Sequence, residues 1–285
     1  MEIIFKESSV SLLNEYVLLY EKCFPNAHHF SFSYLEWLYV KNPVGCAVGA
    51  DAFWNGVLIG QVIAIPNEYY FNQQYLKGLL AVNVVVHPDF QGRQLFKKLG
   101  LKMCEYGKLQ GYEFVIGVAN AAATPGWIRH MGFQLVTPLT AKIGVGQLNI
   151  NDVNYSSAAF YHNWSAKALS WRLQNPVNVV SLKTNQRGHL CVSASAGKLN
   201  ISAYCEIVND KIKLENLQTS TILESFTPKI FLGLVPNYRF PVSYVNIPEK
   251  LKPSPLNFIF KSLVDDSIKL DKNKCFINFL DFDAF

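Results

Sequence analysis

Leu12, Leu13, Tyr16, Leu19 and Tyr20 recur at steps of three and four, the spacing of one helix face, and predict an amphipathic helix over 9–23. Pro25 and Asn26 end it. A second short helix is predicted over 33–40, capped by Ser33 with Glu36 three residues on, and stopped at Asn42-Pro43. The period then changes. Residues 45–50, 57–66 and 75–86 are apolar over strand lengths, with Asn55-Gly56 a hairpin turn between two such runs. Val84-Val85-Val86 halts at His87-Pro88-Asp89, and a basic helix starts near Arg93 with Leu95, Leu99, Met103 and Tyr106 on its core face. Residues 112–120 read as another buried strand. Residues 127–133 read as a helix whose end, Gly132, takes the left-handed conformation before Phe133 turns back to the core.

The second half echoes the first. Leu35-Glu36-Trp37 followed by Asn42-Pro43-Val44 is matched by Leu169-Ser170-Trp171 followed by Asn175-Pro176-Val177. Strand-like residues follow both copies, in the second over 179–208 with turns at Gly188 and Gly197. Residues 226–236 lie near where a second strand of the Val84–Val86 kind is expected, but no glycine loop follows them, and Pro241 occupies a helix start. A short helix is predicted over 258–264. A last strand over 275–280 ends in Asp281-Phe282-Asp283, whose two carboxylates share a face and read as a solvated acidic tail or a contact for an amino group.

A strand, a tight loop and a helix start leave the first helical amides unpaired and pointing one way, with partial positive charge behind them. Such a concavity seats phosphate. Gly92 removes a Cβ from the approach, and Arg93 adds a fixed charge. The surroundings resemble the GNAT acyltransferase superfamily. Its loop reads Gln/Arg, two variable residues, Gly, one variable residue, then Gly or Ala, after a strand ending Val-x-Pro. Here Val86-His87-Pro88 and Gln91 match, while Gln94 stands at the first family glycine and Phe96 at the second. Gly132-Phe133 matches the family's helix end. Covering about residues 1–145, the resemblance implies an α+β fold: a mixed, mostly antiparallel sheet flanked by helices. With the echo it gives two tandem GNAT-like domains, 1–147 with the cofactor loop and 148–285 degenerate and without one.

The resemblance further implies acetyl-CoA or another acyl-CoA as co-substrate, held by Val84, Val85, Val86, Gln91, Gly92, Arg93, Gln94, Leu95, Phe96 and Asn120. A backbone N–H of Val84–Val86 serves the oxyanion, and Asn120 either faces the cofactor or caps the turn after its strand. The family's acid and base are not visible: residues 79–86 contain no carboxylate, and Ile128 stands where many relatives have Tyr. His28, His29, His130 and His162 are candidates by type alone. The acceptor implied is a small-molecule amine, with a nucleotide-linked amino sugar as the first choice. Two other readings stay open, a degenerate GNAT-fold scaffold and an aminoacyl-transferase of the tandem-GNAT peptidoglycan type.

Composition narrows this little. The 285 residues are half apolar and 16% charged, which suits two cores and an apolar surface available to a homodimer. The net charge of +5 divides into +1 over 1–150 and +4 over the rest, without the basic stripe of a nucleic-acid binder. The first residues lack a charged segment followed by an apolar one, and no apolar run approaches about eighteen residues, so neither a secretory signal nor a membrane span is expected. Six scattered cysteines without a Cys-x-x-Cys pair read as reduced thiols of a cytoplasmic protein, with no metal.

Overall fold

The computed structural model describes residues 2–27, 29–150, 156–185, 187–196, 201–207, 212, 218–219, 226–248 and 254–282. They divide into two compact units, one of Met1–Glu68, Leu76–Val136 and Asn257–Lys269, the other of Tyr69–Tyr75, Thr137–Leu256 and Leu270–Phe285. The division differs from a single cut at 147. The first unit ends at Val136 and takes back a late segment, for a reason of strand pairing given below.

In the first unit, β1 (Ile4–Glu7) and β3 (Val57–Phe71) flank β2 (Val48–Trp54) antiparallel. Asn55 and Gly56 join β2 to β3 at φ +51° and +80°, both positive as a tight hairpin of this twist demands. β4 (Gln74–Val86) lies beside β3 after a two-residue turn at Asn72-Gln73, where φ is +46° and +68°. The sequence does not flag that turn, because neither residue is glycine. β5 (Phe114–Ala119) runs parallel to β4, and β14 (Asn257–Ser262) pairs antiparallel with β5, register Asn257↔Ala119 to Ser262↔Phe114. The helix predicted over 258–264 is thus a strand. Phe258, Ile259 and Phe260 are all at most 1% exposed, an aromatic and β-branched run buried on both faces, and the free edge of β5 satisfies its backbone. β6 (Gln134–Pro138) borders β14.

α1 (Leu13–Cys23) follows a short turn at Val10–Leu12 and buries Leu13, Tyr16, Leu19 and Tyr20, the predicted face. α2 (Phe32–Tyr39) begins one residue earlier than expected. Its cap is Ser31, in extended conformation with Oγ accepting from the Tyr34 amide at 3.3 Å. Ser33 lies inside the helix, and Glu36 pairs with Lys41 at 2.5 Å instead of closing a capping box. α3 (Leu95–Leu109) buries Leu95, Leu99 and Met103 against β2, β3 and the side chains of Trp127, Met131 and Phe133. Gly132, at φ +72°, ends the turn Gly126–His130 and returns Phe133 to that core, as the Gly-Phe pair predicts.

In the second unit, β9 (Val180–Thr184), β10 (Leu190–Ser195) and β11 (Ser202–Ile207) are antiparallel neighbours. β11 runs parallel to β12 (Lys229–Leu234), which pairs antiparallel with β15 (Cys275–Asn278) and with β7 (Thr140–Gly144). β13 (Tyr244–Asn246) pairs with β7, and β15 runs parallel to β8 (Phe160–His162). α4 (Ala166–Leu173) is capped by Ser165 as α2 is by Ser31, and both helices carry a buried tryptophan, Trp171 and Trp37. After each helix the pairings recur in one order: antiparallel strands, then a parallel pair (β4 with β5, β11 with β12), then an antiparallel partner. In this order of pairings β11, ending at Ile207, takes the place that β4 has in the first unit. Residues 208–211 after it lie outside the described residues, and their sequence contains no glycine.

The acidic end also differs from expectation. Asp281 is 4% exposed, with Oδ1 accepting from Trp164 Nε1 at 2.9 Å and Oδ2 from the Asn278 amide at 2.8 Å. It is a buried internal acceptor and neither a solvated tail nor a substrate contact. Asp283 lies outside the described residues.

Candidate acyl-transfer site

Registered pairing between β4 and β5 runs from Leu79↔Val115 to Ala81↔Gly117 and stops, though β4 continues to Val86 and β5 to Ala119. The strands fork. On β4 the alternation also slips by one residue: Leu79 and Ala81 face the α3 core, and so do Val84 and Val86. A slip of this kind bends a strand and frees backbone groups at its edge.

Beyond the fork the loop is tight. His87 N–H donates to Ile59 O at 2.8 Å, and Pro88–Phe90 form a turn closed by Phe90 N–H to His87 O at 2.9 Å. Gly92 stands at φ +76°, and a Cβ built on it meets nothing within 4 Å, so its side faces open space. Gln94 stands at φ +59°, the left-handed region, which explains why the resembling family favours glycine there. It caps α3 without a side-chain hydrogen bond, so the amides of the first helical turn keep their donors for an outside acceptor. Gln94→Gly is expected to raise the unfolding free energy by up to about 1 kcal/mol, since strain is removed but the unfolded chain gains freedom. Urea denaturation checks this; equal or lower stability would contradict the strain.

One cleft of about 770 Å³ gathers these features. Of the ten residues read from the sequence, all but Arg93 line it. Arg93 is exposed and its guanidinium lies 5.0 Å from the Phe90 ring centre, so the fixed charge expected of it is directed at an aromatic face. Lys97, exposed to solvent, lines the cleft. Its position in the first turn of α3 was the available signal. Phe96 fits because Gly126 makes room. A Cβ at Gly126 would collide with its ring, which packs edge-on to Trp127 at 5.2 Å.

Asn120 takes the capping role. Its Oδ1 accepts from the Ala123 amide at 2.8 Å, a cap, and the residue still borders the cleft with its NH₂ group available. Ile128 packs against the core and offers no proton. The titratable side chains on the cleft wall are Cys23, Lys97 and His130. Burial pushes the Cys23 thiol up to about 11, so it stays protonated and is no nucleophile at neutral pH. His130 is exposed on the wall. His162 is fully buried within the second unit, and His28 lies outside the described residues. A smaller cleft of about 220 Å³ shares Phe24, Val84, Asn120 and Ala123 with the first and reaches into the fork.

Among the described residues, no group of three or more His, Cys, Asp or Glu is placed to hold a metal, and no helix is long and apolar enough to cross a membrane. All six cysteines are unpaired.

Residues 8–136 match the family model described as "Acetyltransferase (GNAT) domain". No curated protein matches the chain. Among solved structures, it is similar to a GCN5-related N-acetyltransferase from Anabaena variabilis at 10% identity and TM-score 0.58, covering 92% of this chain and 73% of that one. A probable N-acyltransferase from Enterococcus faecalis gives the same figures. Eis1 from Mycobacterium abscessus matches at 9% identity and TM-score 0.56, covering 92% and 74%. At such identities these likenesses establish the fold: a mixed, mostly antiparallel α/β architecture of the GNAT kind.

Proposed function

We propose, from the match of residues 8–136 to a GNAT acetyltransferase domain, that the chain is an acyl-CoA-dependent N-acyltransferase acting on a small-molecule amine. The observation that carries the reading is the meeting, in one cleft, of the forked strands β4 and β5 with the open N-terminus of α3. The pyrophosphate of the acyl donor is assigned to the amides of Leu95 and Phe96 beside Gly92, with the Lys97 ammonium as counter-charge. Its amide-bearing arm is assigned to the free edge at Val84–Val86, where a backbone N–H takes the oxyanion. The amine nitrogen attacks the thioester carbonyl, the C–S bond breaks, and the nitrogen's proton leaves to solvent while the departing thiolate gains one. That proton is assigned to His130, which lines the wall.

The second unit is read as a degenerate copy of the first, on the strength of its capped helix and matching order of strand pairings, with no cofactor loop. An amino sugar, free or nucleotide-linked, is the acceptor that the family resemblance suggests, and the unpaired thiols support a cytoplasmic setting. Thermal unfolding with millimolar acetyl-CoA, longer acyl-CoAs and free coenzyme A tests the donor. At a hundred times its dissociation constant a ligand stabilises by about 2.7 kcal/mol, an upward shift of a few degrees. No shift with any of them would remove this reading and leave a binding or scaffold protein of the same fold.

A further inference from the structure

A buried hydrogen-bond chain in the first unit ends at the fork. Asp51, 0% exposed, receives Ser8 Oγ at 2.7 Å and Gln61 Nε2 at 3.0 Å on Oδ1, and Tyr16 Oη at 2.7 Å on Oδ2. Gln61 Oε1 accepts from the Tyr20 hydroxyl. Tyr20 and Tyr39 hydroxyls meet at 2.8 Å, and Asn83 Nδ2 lies 2.6 Å from Tyr39 Oη. Burial raises the Asp51 pKa while these three donors lower it, the balance of a carboxyl held among donors.

A carboxylate accepts and never donates, and this gives the chain one sense. Gln61 must turn its NH₂ to Asp51, which leaves Oε1 for the Tyr20 proton. Tyr20 can then only accept from Tyr39, and Tyr39 only from the Asn83 amide. The sense of the chain fixes the Asn83 side chain with NH₂ toward Tyr39 and leaves carbonyl Oδ1 without a partner among the described residues. Asn83 lies within the slip of β4 and borders the smaller cleft in the fork. The primary amide of Gln61 interrupts the hydroxyls, so the chain orients groups and does not conduct protons.

We infer that Asn83 Oδ1 is the seat of the acceptor amine, and that the fork takes amines whose carrier bears no further positive charge. An amine that donates one N–H to Oδ1 keeps its lone pair free to attack, whereas an NH₂ turned to the cleft would occupy that pair. Among the described residues the rest of the cleft wall carries no charged side chain, and Phe30 on it is held edge-on by Tyr20 at 4.8 Å. Such walls leave the further charges of a polycation unpaired. This inference rests on the acyltransferase reading and narrows its acceptor to amines without a second positive charge.

Calorimetry with acetyl-CoA on the unaltered protein separates the two readings, since absence of binding there removes the acyltransferase itself. Given binding, turnover with acetyl-CoA is compared for 2-phenylethylamine, glucosamine and spermidine, with the first two expected to show kcat/KM at least about tenfold above the third. Asn83→Ala is expected to raise the 2-phenylethylamine KM about tenfold, with the acetyl-CoA dissociation constant and melting midpoint unchanged. Tyr39→Phe, which does not border the cleft, should raise the same KM several-fold by freeing the amide to turn. An amine KM unchanged in Asn83→Ala, or one rising together with the acetyl-CoA constant, overturns the role of Asn83. Preference for spermidine overturns the acceptor class.

Discussion

Gly92→Glu is expected to weaken acetyl-CoA binding by two to three orders of magnitude while the protein stays folded. The physical case is Coulombic. A carboxylate about 4 Å from a like charge costs roughly 4 kcal/mol at an effective dielectric constant near 20, and each 1.4 kcal/mol is tenfold in affinity. Space is not the issue, because nothing lies within 4 Å of a Cβ at this position. Backbone strain is a separate cost, since φ there is +76° and a side chain loses about 1 kcal/mol in that region. Gly92→Ala shares the strain and lacks the charge, so it should lower stability by a similar amount and leave affinity within a few-fold. Titration calorimetry on both variants decides the matter. Affinity for acetyl-CoA equal in Gly92→Glu and the unaltered protein would show that this loop does not seat the pyrophosphate.

Two buried groups of the second unit are expected to give opposite pH dependences that cancel. His162 stacks on Trp164 at 3.9 Å, with both ring nitrogens lacking a hydrogen-bond partner. Burial, and secondarily the Arg172 charge, push its pKa from 6.5 down to about 3. The unfolded chain therefore binds the extra proton between about pH 3 and 6.5, and stability from this group rises with pH across that window. Asp281 behaves in the reverse sense. Burial raises its pKa from 3.8 to about 7, against its hydrogen bonds from Asn278 and Trp164 and the Arg172 charge. The folded state keeps a proton that the unfolded chain loses, so stability falls as pH rises from about 4 to 7. Each shift is about three units, or at most about 4 kcal/mol at 1.36 kcal/mol per unit.

The contributions of these two groups should thus nearly cancel between pH 4 and 6.5. Asp281→Asn removes one falling limb, and its unfolding free energy relative to the unaltered protein should climb by a few kcal/mol over that range. His162→Phe removes the rising limb and the two orphaned nitrogens, so it should be more stable than its parent at pH 5 and lose stability toward pH 7. Guanidinium unfolding followed by tryptophan fluorescence at half-unit pH steps tests both. Parallel curves for the two variants would refute the opposition.

Much of the first unit is legible along the chain. The three-and-four spacing from Leu12 to Tyr20, the Asn55-Gly56 turn, the α3 stripe and the Gly132-Phe133 return are local matters of period and backbone preference, and each stands where the spacing puts it. Expectation and structure part where a distant partner decides. Phe258, Ile259 and Phe260 have no strong period, and only the open edge of β5 makes them a strand. Asp281 looks like a tail charge until Trp164, far away in sequence, donates to it. Ser31 and Ser33 are equally good caps by type, and backbone geometry at the helix entry chose between them.

The same division runs through the site. A loop motif is contiguous, so the chain alone places Gln91, Gly92 and Gln94 at the mouth of a helix, and the left-handed backbone of Gln94 follows from the glycine it replaces. What no contiguous reading supplies is direction. Whether Arg93 or Lys97 turns to the cleft depends on Phe90 lying beside the loop. Asn83 is an unremarked polar residue in an apolar strand until Asp51, Gln61, Tyr20 and Tyr39 come together from four other elements and orient its amide. Most elements, their periods and the glycine loop before α3 are dictated in the sequence, because they depend on neighbours along the chain. The fork, the burial of Asp281 and the sense of the Asn83 chain arise only on folding, because hydrogen-bond polarity and desolvation belong to groups that the folded chain brings within reach.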